Sequence, residues 1–252
     1  MNPAAPCRFT CLVLLLLLAV AAGCQNSSLR AAPAAGTGFV PMSELAPNPD
    51  LPFNKAWFKA GVDFSSYHSV YVPGVNTRYM LQSSSWWQSK IRADQMQQDA
   101  QTVAAYMRQH LIDAIRNDPK KRFQVADAAG PGVLVLDVAL TELVPSDPVV
   151  AALTMAAPYG SGLAVEAVAR KTGDVATVAF EARLIDGATG DTVAMFADRE
   201  QAKASYIDLN ALTWYSEAHV IIGEWSTQFV QVLERRPGEV VKPAPSFSIL
   251  AW

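Results

Sequence analysis

Among the 252 residues, the side chain best placed for covalent chemistry is Cys24. It stands directly behind Ala21, Ala22 and Gly23, at the end of an apolar run from Leu12 to Ala22 that is preceded by a single charge, Arg8. Small residues let an extended backbone enter a peptidase. A sulfur nucleophile at that point can form a thioether beside a cleavage point between Gly23 and Cys24. Cys7 and Cys11 fall inside the same leader, where a spaced pair reads as incidental. Once the leader is removed Cys24 stands alone, so neither a disulfide nor a thiolate metal site is expected.

The other groups with chemical potential form no familiar constellation. His68, His110 and His219 fall in three different elements without metal-ligand spacing, and His110 reads as a partly exposed imidazole on a helix. No Gly-x-Ser-x-Gly elbow, phosphate loop or dinucleotide fingerprint is present, and Gly160-Ser-Gly162 is too short to stand for one. The expectation is therefore no catalytic residue, no metal and no cofactor. Asp137 lies within a strand pattern, where a half-buried carboxylate needs a partner, and Arg183 on a neighbouring strand is the candidate. Asp186 and Asp191 flank a turn and are expected to fix it by local side-chain to backbone hydrogen bonds. Trp86 and Trp87, between a serine run and Gln88, cannot both enter a core by helix or strand periodicity. Ordinary packing and a recognition surface for a partner, a glycan or lipid both stay open for them.

The ending at Cys24 resembles a bacterial lipobox, with Ala21 where Leu is most usual, and the resemblance implies that the thiol takes a diacylglyceryl group before the bond ahead of it is cut. Residues 1–23 then form a signal peptide of the lipoprotein type, its apolar run being too short to span a bilayer comfortably. Gln25 follows the cysteine, and under the sorting rule of enteric bacteria the absence of Asp there favours the outer membrane. The expected location is the bacterial cell envelope, lipid-anchored in the inner leaflet of the outer membrane and facing the periplasm. Each buried methylene contributes about 0.8 kcal/mol, and two or more acyl chains hold where one is marginal.

Composition bounds the rest. With 20 Lys+Arg against 23 Asp+Glu, a net charge of −3 and one tight basic cluster at Lys120, Lys121 and Arg122, no nucleic-acid partner is expected. Hydrophobic residues make up 51% of the chain, which is globular rather than disordered composition. From Gln25 to Gly38 the residues are mostly Ser, Asn, Ala, Pro and Gly, so residues 24–38 read as the lipidated cysteine and a flexible tether spanning about 20 Å. Residues 39–252 are expected to form a single domain.

Within it, Tyr67 to Thr77 reads as a strand bent or placed at an edge by Pro73-Gly74. Val103, Met107, Leu111 and Ile115 give one stripe on a helix from Asp99 to Asn117, stopped by Pro119. The period then changes to two. In Val133 to Val144, Leu134, Leu136, Val138 and Leu140 share a face opposite Asp137, Ala139 and Thr141. Leu163 to Ala169 and Val175 to Ile185 read as further strands, with a short helix at Val149 to Ala156. Val175 to Ile185 is joined to Thr192 to Ala197 through the turn Asp186 to Asp191. A second helix is expected from an N-cap at Asp208 to Glu234. The apolar tail, Pro243 to Trp252, is expected to dock back on its own domain, with an interface to another chain as the alternative. This order predicts an α+β fold: a mostly antiparallel sheet with two long amphipathic helices packed on one face, a two-layer sandwich. Two such helices leave no room for a transmembrane barrel.

Over this whole span the chain resembles an uncharacterised family of bacterial lipoproteins, the domain-of-unknown-function family numbered 3313. The matching stretches are Gly38-Phe39, Pro52-Phe-Asn-Lys-Ala-Trp57, Asp63 to Val72, Gly132 to Thr141 and Asp186 to Gly190. The resemblance implies a periplasm-facing lipoprotein with an α+β domain, and it carries over no catalytic residue. The functional expectation is a membrane-anchored envelope lipoprotein that binds, or serves as an accessory component of, an envelope complex. The alternative is an envelope enzyme acting on lipid or glycan through carboxylates. Sequence fixes neither the protein partner nor the oligomeric state.

Overall fold

The computed structural model describes residues 31–80, 93–145, 175–202, 204–208, 215–236, 238–245 and 247–251. In chain order the elements are β1 (Lys55–Phe58), β2 (Ser69–Tyr71), α1 (Ala93–Asn117), β3 (Gln124–Ala126), β4 (Val133–Val144), β5 (Thr177–Asp186), β6 (Thr192–Gln201), β7 (Ala204–Asp208), α2 (Ser216–Glu234) and β8 (Phe247–Ala251). Six strands make a mixed sheet in the order β1-β6-β5-β4-β2-β3. Its pairs are antiparallel except β2 with β3 and with β4. The fold is the α+β arrangement expected. The strand proposed at Leu163 to Ala169 and the helix proposed at Val149 to Ala156 lie outside the described residues.

The sheet is built on the alternation in β4 and β5. Leu134, Leu136, Val138 and Leu140, with Val178, Phe180, Ala182 and Leu184, point to one face and are almost fully buried. Against them lie Val103, Met107, Leu111 and Ile115 of α1 and Ile222, Trp225 and Phe229 of α2. Fully burying each of these large side chains contributes about 1.5–3 kcal/mol. A bulge interrupts the register between Leu140 and Glu142. The extra residue, Thr141, resets the phase, so that Leu143 joins the inner core while Glu142 meets Arg199 on the other side.

The opposite face of the sheet is also covered. Phe39, Val40 and Leu45 pack over Ala139, Met195 and Ala197. Residues 31–38, which composition assigns to the tether, make defined bonds here. Both Thr37 N–H and Oγ1 donate to Glu181 Oε1 (2.8 and 2.9 Å), Val40 N–H donates to Oε2 (2.9 Å), and Arg199 donates to Ala32 O (3.4 Å). The compact unit accordingly starts at Ala31.

Proline behaves as expected at the end of α1, which stops at Asn117. β2 is short because Pro73-Gly74 breaks it, and pairing with β4 resumes as a bridge from Asn76 to Ala139. The expected start of α2 needs correction. Asp208 ends β7 instead of capping the helix, and α2 begins at Ser216 behind Tyr215, which makes no side-chain capping bond. What competes for Asp208 is the C-terminal segment: β8 pairs in parallel with β7, Asp208 lying level with Ala251. The apolar tail thus docks on its own chain.

Candidate functional site

Cys24, its cleavage partner Gly23, and Trp86-Trp87 lie outside the described residues. The expected pair is formed: Arg183 donates to Asp137 across β4 and β5, with the guanidinium 4.4 Å from the centre of the Phe39 ring. Beside it Arg199 clasps Glu142 through two bonds of 2.7 and 3.0 Å. These charges are spent in binding strands and the N-terminal segment to one another.

Asp186 does what the turn requires, its Oδ1 accepting from Ala188 N–H (2.8 Å) and Thr189 N–H (2.9 Å). Its Oδ2 accepts from the Tyr67 hydroxyl (2.7 Å). The Tyr67 bond, ahead of the two backbone donors, holds the carboxyl below its ordinary range, while burial and the neighbouring carboxylate push the Tyr67 hydroxyl up to about 12. Asp186 therefore stabilises the fold above the ordinary carboxylate pKa, about 3.9, and that contribution fades as pH falls through the depressed value. Tyr67→Phe is expected to move the Asp186 titration upward, read by carbon-detected NMR; an unmoved titration would remove Tyr67 as the main cause. Asp191 differs from expectation. Its backbone shapes the turn, but its side chain pairs with Lys59 Nζ at 2.9 Å instead of bonding locally.

The basic cluster is absorbed by helix ends. Lys120 meets the buried Glu234 carboxylate at 3.1 Å, Lys121 Nζ donates to Arg116 O at 2.6 Å, and Arg122 donates to Leu233 O and Phe64 O, each at 3.0 Å. Cations at carbonyl-exposing helix C-termini are favoured by both hydrogen bonding and the helix dipole.

One grouping is visible only in the fold. His219 stacks on Tyr106 across the seam between α1 and α2, ring centres 3.9 Å apart, and His110 lies tilted against the same ring at 4.0 Å. Burial, then the proximity of His110, keeps the His219 imidazole below its ordinary pKa. Tyr106 and His110 are one helical turn apart, a legible spacing, whereas the approach of His219 is set by helix packing. Among the described residues no group of three or more His, Cys, Asp or Glu side chains is placed to hold a metal. His68 serves through its backbone, its N–H donating to Gly132 O and its carbonyl accepting from Gln124 N–H, both at 3.0 Å.

The best candidate for a ligand site lies where the parallel strands end. β2 and β3 run side by side with Tyr71 level with Ala126, and α1 crosses above to leave an open cleft of about 300 Å³. Tyr71, Arg108, Gln109, Arg116 and Asp127 contribute its polar lining. Arg108 Nε donates to Val72 O (3.1 Å), which holds its guanidinium at the cleft. Arg116 makes a longer bond to Asp113 (3.3 Å), whose two oxygens also accept from Gln109. Carboxyl ends of parallel strands are where open sheets leave crevices for ligands.

Among the described residues, no helix is long and apolar enough to cross a membrane. A family described as a protein of unknown function, DUF3313, matches residues 36–229. No curated protein matches the chain. Two solved structures, a dodecameric PelC from Paraburkholderia phytofirmans and a point variant of it, are similar at 12% and 11% identity. Each likeness covers 69% of this chain and 96% of the other, with a TM-score of 0.36.

Proposed function

For a chain that belongs to the DUF3313 family of proteins of unknown function, we propose the role of a bacterial envelope lipoprotein, anchored through acylated Cys24, that binds or assists another envelope component. The observation that carries this reading is the apolar run Leu12 to Ala22 closing on Ala21-Ala22-Gly23 in front of Cys24. Gln25 behind the cysteine supports an outer-membrane address, with the folded unit facing the periplasm. A binding role is favoured over catalysis because the carboxylates of Asp137, Glu142, Glu181 and Asp186 are engaged in bonds that hold strands, turn and N-terminal segment together.

In-cell crosslinking followed by detergent extraction and mass spectrometry, on the natural chain and on Cys24→Ser, tests the proposal. The natural chain is expected in the membrane fraction with a diacyl mass increment on Cys24, trapping a specific envelope protein. Cys24→Ser is expected to lack the diacyl increment, to retain its uncut leader and to lose the crosslink. A variant that stays membrane-bound and fully processed would overturn the anchor, and recovery of the natural chain without a specific partner would overturn the accessory role.

A further inference from the structure

The geometry points to a function for the cleft between α1 and the ends of β2 and β3: we propose that it binds a small, hydroxyl-bearing phosphate ester through Arg108 and Arg116. This goes beyond the anchored reading and does not rest on it. Arg108, Ile112 and Arg116 follow one another at single-turn spacing, so their side chains share a face of α1. The two arginine backbones stand about 12 Å apart along the axis. Both arginines line the cleft on either side of the buried Ile112, a separation that two long side chains can bridge to reach one group.

A phosphate carries up to two negative charges and three acceptor oxygens, which suits two guanidiniums better than a single carboxylate does. Arg108 is held through Nε, leaving its two terminal nitrogens without a partner among the described residues. Its fork is thereby aimed before a ligand arrives, and preorganisation lowers the cost of binding. The remaining lining explains the hydroxyl requirement. The Asp127 carboxylate repels an anion but accepts from a hydroxyl, and the Tyr71 hydroxyl can donate or accept beside it. About 300 Å³ has room for about ten waters, the size of a small phosphorylated polyol rather than a polymer.

The test is calorimetric titration of the full chain, purified in neutral detergent at low ionic strength, with glycerol phosphate; glycerol is the control. Glycerol phosphate is expected to bind saturably and glycerol not at all, with affinity falling as salt is raised. Arg116→Gln, at a side chain that is 60% exposed, is expected to leave thermal unfolding unchanged and to weaken binding about tenfold or more. Arg108→Gln should weaken it at least as much. Vesicles containing phosphatidylglycerol identify the source: competition with glycerol phosphate that depends on Arg116 assigns the cleft to a lipid headgroup, and its absence assigns it to a free ester. No saturable heat up to about 10 mM, or equal affinity in Arg116→Gln and the natural chain, would overturn the proposal.

Discussion

Replacing Phe53 by Ala is expected to destabilise the protein by about 4 kcal/mol, close to the largest effect a single side chain has in a domain of this kind. The ring is 2% exposed and lies between three others, with centres 4.7 Å from Phe229, 5.4 Å from Phe180 and 5.4 Å from Phe196. It therefore joins α2 to both central strands of the hairpin from a loop that precedes β1. Truncation removes the burial and leaves a void that three aromatic rings, each fixed by its own element, cannot collapse to fill. Edge-to-face contacts add about 0.5–1.5 kcal/mol per pair beyond area. Since folded domains are stable by only about 5–15 kcal/mol, urea unfolding should show a large fall in midpoint. Phe58→Ala, at a ring 36% exposed, is the comparison and should cost much less. Equal losses for the two would mean that Phe53 is not the hub described.

The second large effect is expected at Glu181, 1% exposed, where Ala should cost about 3 kcal/mol. Its carboxylate receives three donors, from Thr37 and Val40, and its removal strands the Val40 N–H away from water. A buried donor without an acceptor costs about 1–3 kcal/mol, and the loss of the Thr37 bonds adds to it. The damage should be local before it is global: hydrogen exchange at Thr37 and Val40 should accelerate well before that of β4 and β5. Glu181→Gln keeps one acceptor oxygen and should fall between the natural chain and Ala. Unchanged exchange at Val40 in Glu181→Ala would show that the segment is held by Phe39 and Leu45 alone.

Much of the fold was legible because its signals are local. The stripe Val103, Met107, Leu111 and Ile115, the stop before Pro119 and the alternation in β4 and β5 each follow from backbone geometry within one segment. Even the Asp137 to Arg183 pair follows from two strand patterns once β4 and β5 lie antiparallel with these residues level. What escaped depends on distant partners. Residues 31–38 carry too little apolar area to order themselves, yet a carboxylate far along the chain receives Thr37. Asp208 has the chemistry of an N-cap, and pairing with the last strand overrides it. The cleft draws on α1 and two strand ends, so its arginines read simply as the solvated face of a helix until the strands are placed beside them.

The covered outer face of the sheet also sets a timetable. Thr37 finds its acceptor 144 residues further on, β1 pairs along its length with β6, and β7 waits for β8 at the far end of the chain. Loop closure over such separations must precede the contacts that reward it, which places this topology among the slower folders. A chain emerging from its N-terminus can form α1 and the local bridge from Ala46 to Ala56 early, but edge β1 and the N-terminal segment lack their sheet partners until β5 and β6 have been delivered. In the interval Phe39, Val40 and Phe53 are open to solvent, so the early-emerging half needs protection from aggregation while it waits.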